Sequence, residues 1–389
     1  MSFLPVPRHA GVWRLTVLLQ DFLRKETASG FVLMGCAALS LLLANSPLGH
    51  DYLEIWHAKL FGESVEYWIN DGLMTIFFLL VGLEIEREVY IGELASPRAA
   101  LLPVLAALGG MLVPALIHLG LNYGTPTQGG AGIPMATDIA FALGVLMLLG
   151  DRVPVTLKIF LTALAIIDDL GAIVVIATAY SHGLSWGWLA AAGGIFLMLA
   201  VLNRRGVATL LPYLALGVAA WFCMLHSGVH ATITGVVLAF LIPFRQGGES
   251  SPSYRLQHAL HKPVAFVILP LFALANTGIA IPEDWAASLA TANSLGIMAG
   301  LLIGKPLGIV LFSLLALRLG CDAPPDLTRR HLLGAGLLGG IGFTMSVFIT
   351  LLAFDDPAVI VASKMAIMLA SVAAGLAGMV WLRWGAAKG

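Results

Sequence analysis

Two adjacent aspartates, Asp168 and Asp169, interrupt an apolar run from Leu157 to Tyr180 that is long enough to cross a bilayer. A carboxylate near the bilayer centre costs roughly a few kcal/mol or more, and two neighbours repel each other. A pair kept in such a place must bind something, and the simplest candidates are a cation and protons. Desolvation and a neighbouring anion both favour the neutral form of a carboxylic acid. Such a pair can hold protons near neutral pH and release them to a cation. Successive helix residues are turned by about 100°, so the two cannot face one partner equally. One can line a water-filled cavity while the other meets a counter-charge. The competing reading is a structural pair satisfied by Thr or Lys.

Other polar residues stand in comparable surroundings. Asp138 and Thr137 follow a Gly/Pro-rich stretch, Gly129-Gly-Ala-Gly-Ile-Pro134-Met-Ala-Thr137-Asp138. A helix interrupted at Pro134 exposes the N–H groups of its second half, whose positive end favours an anion such as Asp138. A helix cap and a cation ligand are compatible roles for it. A second such stretch, Gly334 to Ser346, carries Thr344 and Ser346. Each hydroxyl alone reads first as back-bonding to its own helix. Lys305 lies within an apolar span beside glycines 296, 300, 304 and 308, a stripe at i, i+4 spacing that lets another helix approach closely. With no arginine deep in a span, its ammonium is the natural partner for a buried Asp.

Charged residues also gather at span ends. Asn70-Asp71 opens one span near its outer end, where capping is the plain reading. The inner end of that span carries Glu84, Glu86, Arg87 and Glu88, spaced for intrahelical ion pairs. His230, His258 and His261 stand at other span ends, where histidine titrates in the physiological range but is commonly structural.

These residues are positioned by a polytopic membrane chain. It has 389 residues, 59% hydrophobic and 11% charged, against about 25% charged in soluble domains. The fold class is all-α. Twelve apolar spans lie at about 29–46, 68–86, 98–120, 132–149, 156–180, 186–202, 207–224, 228–244, 258–280, 292–317, 331–353 and 358–384. The fourth and eleventh are interrupted. Spans three to five and ten to twelve each centre on a broken helix and run in opposite senses, the pattern of an inverted-topology repeat. All Lys and Arg except Lys59, Lys305 and Lys364 fall on one side if the N-terminus is cytoplasmic, which places both termini there. Outside, the segment Trp56–Tyr67 is either a hairpin turning at Gly62-Glu63 or an irregular loop. Residues 13–25 read as an amphipathic interfacial segment. Cys36, Cys223 and Cys321 read as packing residues, and a net charge of −1 gives no hint of a nucleic-acid partner.

Four motifs carry a family resemblance: Ala136-Thr-Asp138-Ile-Ala-Phe-Ala-Leu-Gly144, Ala165-Ile-Ile-Asp168-Asp169-Leu-Gly-Ala172, Gly304-Lys305-Pro-Leu-Gly308 and Gly339-Gly-Ile-Gly-Phe-Thr-Met-Ser346. In this order they resemble the NhaA family of bacterial sodium–proton antiporters, over about Ser29 to Arg383. The resemblance implies twelve helices, the broken fourth and eleventh crossing at the midplane. One domain spans 1–389, with 97–182 and 291–384 forming the core and 29–95 and 185–280 the interface scaffold. It implies a bacterial inner-membrane transporter, not an enzyme, that exports Na⁺ or Li⁺ against protons, is activated at alkaline pH, needs no cofactor and forms a homodimer through a hairpin between helices one and two. Carried over, Asp168 and Asp169 bind the cation and protons, with Asp138 and Thr137 beside them. Lys305 pairs with Asp168 and balances charge or carries a proton. Asp71 lies on the outer funnel. Glu84, Arg87, Glu88, His230, His258 and His261 belong to the pH response. The chain departs from the family pattern at Gln257, where an acid is expected, at Tyr254, where a base is expected, and in a shorter first hairpin loop. A cation channel and an intramembrane aspartyl protease are the rival classes. The channel lacks support in the repeat pattern, and the protease lacks its separate Gly-containing Asp motifs.

Overall fold

The computed structural model describes residues 28–181, 183–245, 247–321, 324 and 326–386. The amphipathic segment expected at 13–25 lies outside them. The described chain is helical throughout apart from one two-stranded ribbon. Helix α1 (Ala28–Ala44) turns by 116° into α2 (Gly49–His57), so α2 does not prolong the crossing. The ribbon pairs β1 (Lys59–Leu60) with β2 (Glu63–Ser64), Lys59 opposite Ser64 and Leu60 opposite Glu63. The segment is therefore a hairpin and not an irregular loop. Its two loop residues are Phe61 and Gly62, at φ 54° and 97°. Two consecutive positive φ values match the twist of a tight hairpin, and they place the turn one residue earlier than Gly62-Glu63. Trp68 Nε1 donates to Leu60 O at 2.7 Å and ties the hairpin to the helix that follows.

That helix is α3 (Val65–Ile91), and α4 (Pro97–Asn122) follows. Then comes a 3-10 segment, Gln128–Met135, an extended stretch 136–138 and α5 (Ile139–Met147), bent by 42° at the interruption. Helices α6 (Val155–Ala179), α7 (Trp186–Arg204), α8 (Leu210–Leu225), α9 (Ile233–Leu241), α10 (Pro252–Thr277), the short α11 (Trp285–Leu289) and α12 (Ala292–Arg318) succeed one another. The second interrupted pair is α13 (Arg329–Gly339) and α14 (Phe343–Ala353), bent by 47°, and α15 (Pro357–Ala386) closes the chain.

Among the described residues, seven helices are long and apolar enough to cross a membrane, and up to ten segments if each bent pair is one span. The shortfall from twelve lies at α8 and α9. α9 has only nine residues where an apolar run of 228–244 predicts a full span. Turns occupy the residues before it, with Gly228 at φ 83°. What remains is roughly half a bilayer thickness. It survives because it is enclosed by protein. A Cβ on Gly235 would stand 2.7 Å from Leu79 N, and one on Gly82 would stand 2.7 Å from Ala239 Cβ. The two glycines let α9 lie directly on α3.

The polarity is inside out relative to a soluble protein. Leu42, Leu211 and Val218 are 71%, 77% and 66% exposed, while Asp168, Lys305, His118 and Asn276 have no exposed surface. This is a multi-pass membrane protein, with backbone polar groups satisfied inside helices and apolar side chains facing lipid. The three cysteines are free thiols.

The glycine stripe of α12 packs on α4 and on the segment Gln128–Met135 of the first interrupted pair. Gly308 abuts Gly109, Gly304 meets Pro114, Gly300 meets Pro134 and Gly296 meets His118 and Asn122. The same helix carries a π turn over Gly300–Gly304, immediately before Lys305-Pro306. A proline removes one N–H and collides with the carbonyl four residues back, so the ladder takes an extra residue there. α10 repeats the arrangement, with a π turn at Val264–Ile268 ahead of Pro270. The insertion in α12 widens the helix at the turn preceding Lys305 and helps aim that side chain at the interruption between Gln128–Met135 and α5.

Candidate functional site

The two interruptions meet, and Asp138 joins them. Its main-chain N–H donates to Ile341 O at 2.7 Å. Its Oδ1 accepts from Phe141 N at 2.9 Å, capping α5. Its Oδ2 accepts from Thr344 N at 3.1 Å and Thr344 Oγ1 at 2.5 Å, at the start of α14. One carboxylate therefore serves two facing helix N-termini, whose orphan N–H groups and partial positive charge favour it. Ser346 Oγ donates to Ile133 O at 2.7 Å. Neither Thr344 nor Ser346 back-bonds to its own helix as expected, since each ties one interruption to the other.

The aspartate pair of α6 lies alongside. Asp168 is wholly buried and Asp169 is 3% exposed. Lys305 Nζ makes an ion pair with Asp168 Oδ2 and also donates to Thr137 Oγ1 at 2.6 Å and Met135 O at 2.5 Å. These three acceptors use all three ammonium protons. Thr137 Oγ1 lies 2.6 Å from Asp168 Oδ2 and 3.0 Å from Gly339 O, and its single proton serves one of them at a time. The structure thus brings together four residues expected in the site, Thr137, Asp138, Asp168 and Lys305, and adds Thr344 through its bonds to Asp138. The chemistry left open is on the carboxylates. Asp168 Oδ1 and Asp169 Oδ1 are buried and have no hydrogen-bond partner among the described residues. Buried acceptors of this kind are rare and call for an explanation. A proton on either atom, or a hard cation taking carboxylate oxygens as ligands, supplies one. Among the described residues no group of three or more His, Cys, Asp or Glu is placed to hold a metal ion.

The remaining candidates sit elsewhere. Asp71 lies in a π turn, Trp68–Leu73, near the N-terminal end of α3, and its carbonyl accepts from Thr75 Oγ1 at 2.5 Å and Trp221 Nε1 at 3.3 Å. Among the described residues no hydrogen bond or ion pair links it to the aspartate pair. Near the C-terminal end of α3, Glu84 and Glu88 are half-buried, Arg87 stands 5.2 Å from the ring centroid of Tyr254, and His258 stacks on the same ring at 6.1 Å. Glu86 is buried, and its Oε2 accepts from Ser253 Oγ at 2.9 Å. Its hydrogen-bond partner is on α10 and not on its own helix. The C-terminal end of α3 and the N-terminal end of α10 thus form one cluster, and His261 lies on α10 as well. His230 Nε2 lies 2.8 Å from Tyr180 O at the C-terminal end of α6.

A second buried polar cluster escaped the sequence reading. His118 Nε2 bonds Asn293 Oδ1 at 3.1 Å, and Asn293 Nδ2 donates to Ser363 Oγ at 2.7 Å. Asn122 Nδ2 donates to His118 O and to Ala292 O, each at 3.0 Å. These bonds join the C-terminal end of α4 to the N-terminal ends of α12 and α15. The signal was present as single polar residues inside apolar runs, but no spacing connects them.

Comparison with known proteins agrees on one family. The profile of the family described as Na+/H+ antiporter 1 matches residues 20–382. A protein of Cytophaga hutchinsonii named Na(+)/H(+) antiporter NhaA is 60% identical over 371 residues, covering 95% of this chain and 96% of its own. One of the same name from Dechloromonas aromatica is 59% identical over 374 residues, covering 95% and 96%. One from Bordetella parapertussis is 50% identical over 386 residues, covering 95% and 97%.

Proposed function

Given that this chain belongs to the NhaA family of Na⁺/H⁺ antiporters, we propose that it exports Na⁺ or Li⁺ from the cytoplasm in exchange for periplasmic protons, with Asp168 and Asp169 as the shared site. The observation that carries this reading is a pair of buried carboxylate oxygens, Asp168 Oδ1 and Asp169 Oδ1, that have no hydrogen-bond partner among the described residues and lie close to where the two interrupted helices meet. Protons and one cation compete for these atoms. Thr137 and the nearby carbonyls supply further oxygens. Lys305 offsets the Asp168 charge, and Asp138 offsets the positive ends of α5 and α14.

Exchange of two protons for one Na⁺ moves one net charge inward. The membrane potential then contributes about 2.3 kcal/mol per 100 mV to export. Access alternates by rocking of a core, residues 97–182 and 291–384, against a scaffold, residues 29–95 and 185–280. In this reading the chain crosses twelve times, the short α8 and α9 included, and the core consists of two inverted repeats around the interrupted pairs. The distribution of Lys and Arg supports an inner-membrane orientation with cytoplasmic termini. The exposed hairpin, with Phe61 90% exposed at its tip, supports a homodimer. Asp71 belongs to the outer funnel. The Glu84, Arg87, Glu88, His258 and His261 cluster, with His230 outside, sets the pH response.

The test is reconstitution. Purified protein in proteoliposomes carrying a ΔpH should dissipate it on addition of Na⁺ or Li⁺, and a membrane potential should change the rate. A ΔpH untouched by either ion at any pH would overturn the assignment.

A further inference from the structure

The 3-10 segment Gln128–Met135 is longer than such winding usually runs, and one side chain holds its outer end. Tyr180 caps the C-terminus of α6 and is 5% exposed. Its hydroxyl donates to Gly129 O at 2.9 Å. Gly132 has no room for a side chain there, since a Cβ would stand 2.5 Å from Tyr180 Oη. His230 in turn donates to the Tyr180 carbonyl, because a carbonyl oxygen only accepts. The tyrosine is therefore fixed on one side and grips the 3-10 turn on the other.

This grip is one of two cross-links between the same pair of elements. α6 and the segment run antiparallel. At the midplane Asp168 meets Thr137, and at the outer end Tyr180 meets Gly129. Along α6 the distance from Asp168 to Tyr180 is about 18 Å at 1.5 Å per residue. From Gly129 to Met135 a 3-10 winding gives about 12 Å at 2.0 Å per residue. Two extended residues to Thr137 add about 7 Å. The total, about 19 Å, matches. With α winding the same chain would reach only about 16 Å, roughly 2 Å short of satisfying both cross-links. The outer tie and the 3-10 winding thus hold Thr137 Oγ1 on Asp168, and Met135 O on Lys305.

We propose that Tyr180 is a positioning residue for ion exchange, acting through the winding of Gln128–Met135 on the placement of Thr137 and the Met135 carbonyl. The proposal rests on the assignment of Asp168 and Thr137 to the ion site. Tyr180→Phe removes only the hydroxyl. In proteoliposomes it should raise KM for Na⁺ by about three- to tenfold while kcat stays within about twofold, the signature of weakened binding. Gly132→Ala, which displaces the hydroxyl and leaves Tyr180 in place, should shift KM in the same direction. Calorimetric titration of the solubilised variants with Na⁺ should show the matching loss of affinity. A general packing defect would instead lower kcat or the yield of folded protein without this split. Wild-type KM in both variants, beside a wild type that exchanges Na⁺, would overturn the proposal alone. A wild type that moves no Na⁺ or Li⁺ would overturn the ion-site assignment and the proposal with it.

Discussion

Replacing Lys305 by methionine removes one charge and three hydrogen bonds while keeping an unbranched chain of similar length. The three acceptors left behind are Met135 O, Thr137 Oγ1 and Asp168 Oδ2. Thr137 can turn its proton fully to Asp168 or to Gly339 O, but Asp168 loses its ion-pair partner in a place with no exposed surface. Stranding one member of a buried ion pair costs about 3–5 kcal/mol. In a chain of this size each kcal/mol moves the midpoint by roughly 2 °C, so melting should begin about 6–10 °C lower. The carboxylate has one escape, which is to take a proton and become neutral. The loss should therefore be largest at alkaline pH and shrink as pH falls. Thermal unfolding of the solubilised protein, followed by tryptophan fluorescence across pH, reads both effects. A cycle with Asp168→Asn isolates the pair: in that background Lys305→Met should cost far less, because no anion is stranded. An unchanged melting temperature at alkaline pH, or an equal loss in both backgrounds, would refute the reasoning.

Asp169→Asn should abolish Na⁺ binding and exchange together, because an amide holds no proton for a cation to displace; calorimetric binding at wild-type affinity would remove Asp169 from the site. Lys305→Arg keeps the charge but does not deprotonate at working pH, so a purely charge-balancing lysine predicts slower exchange that is still electrogenic. Electroneutral exchange in vesicles would instead assign a transported proton to Lys305. Gln257→Glu restores a titrating group beside the Arg87–Tyr254–His258 stack and should shift the pH midpoint modestly while leaving maximal exchange intact. If the wild-type midpoint does not move as Na⁺ is raised, simple proton–cation competition fails and a dedicated sensor is required.

Much of the site was legible because a bilayer makes polar residues conspicuous. Asp168, Asp169, Asp138 and Lys305 stand out in apolar runs because burying them there is energetically costly. The interruptions at 136–138 and 340–342 were legible because Gly recurs through both stretches, joined by Pro134 in the first. The hairpin was only half legible: Gly62 marked a turn, but Phe61 at positive φ is a conformation its side chain does not announce. The contacts that assemble the site were not legible. Thr344 reaches Asp138 across 206 residues and Ser346 reaches Ile133 across 213. A hydroxyl in a helix gives no sign whether it bonds its own backbone or another element.

Winding was the least visible property. Run length and hydropathy fix where a chain can cross, but they do not distinguish α from 3-10 or π turns, which differ by fractions of an ångström per residue. Two causes select among them here. Prolines at 270 and 306 force the ladder outward, giving the π turns before them. Gln128–Met135 also holds a proline, Pro134, yet it winds the other way, tighter and longer. The difference lies in what grips it: Tyr180 on Gly129, Ser346 on Ile133 and Lys305 on Met135 each take a main-chain carbonyl of that segment. Three external donors compensate for poor internal hydrogen-bond geometry, so the segment stays wound tightly only while α6, α12 and α14 stand where they do. Displacing any of the three would release a carbonyl and favour rewinding, which moves Thr137 along the axis of the segment. The oxygens around Asp168 are therefore coupled to the packing of three helices, and this coupling is what a transporter needs if ion occupancy and access are to change together.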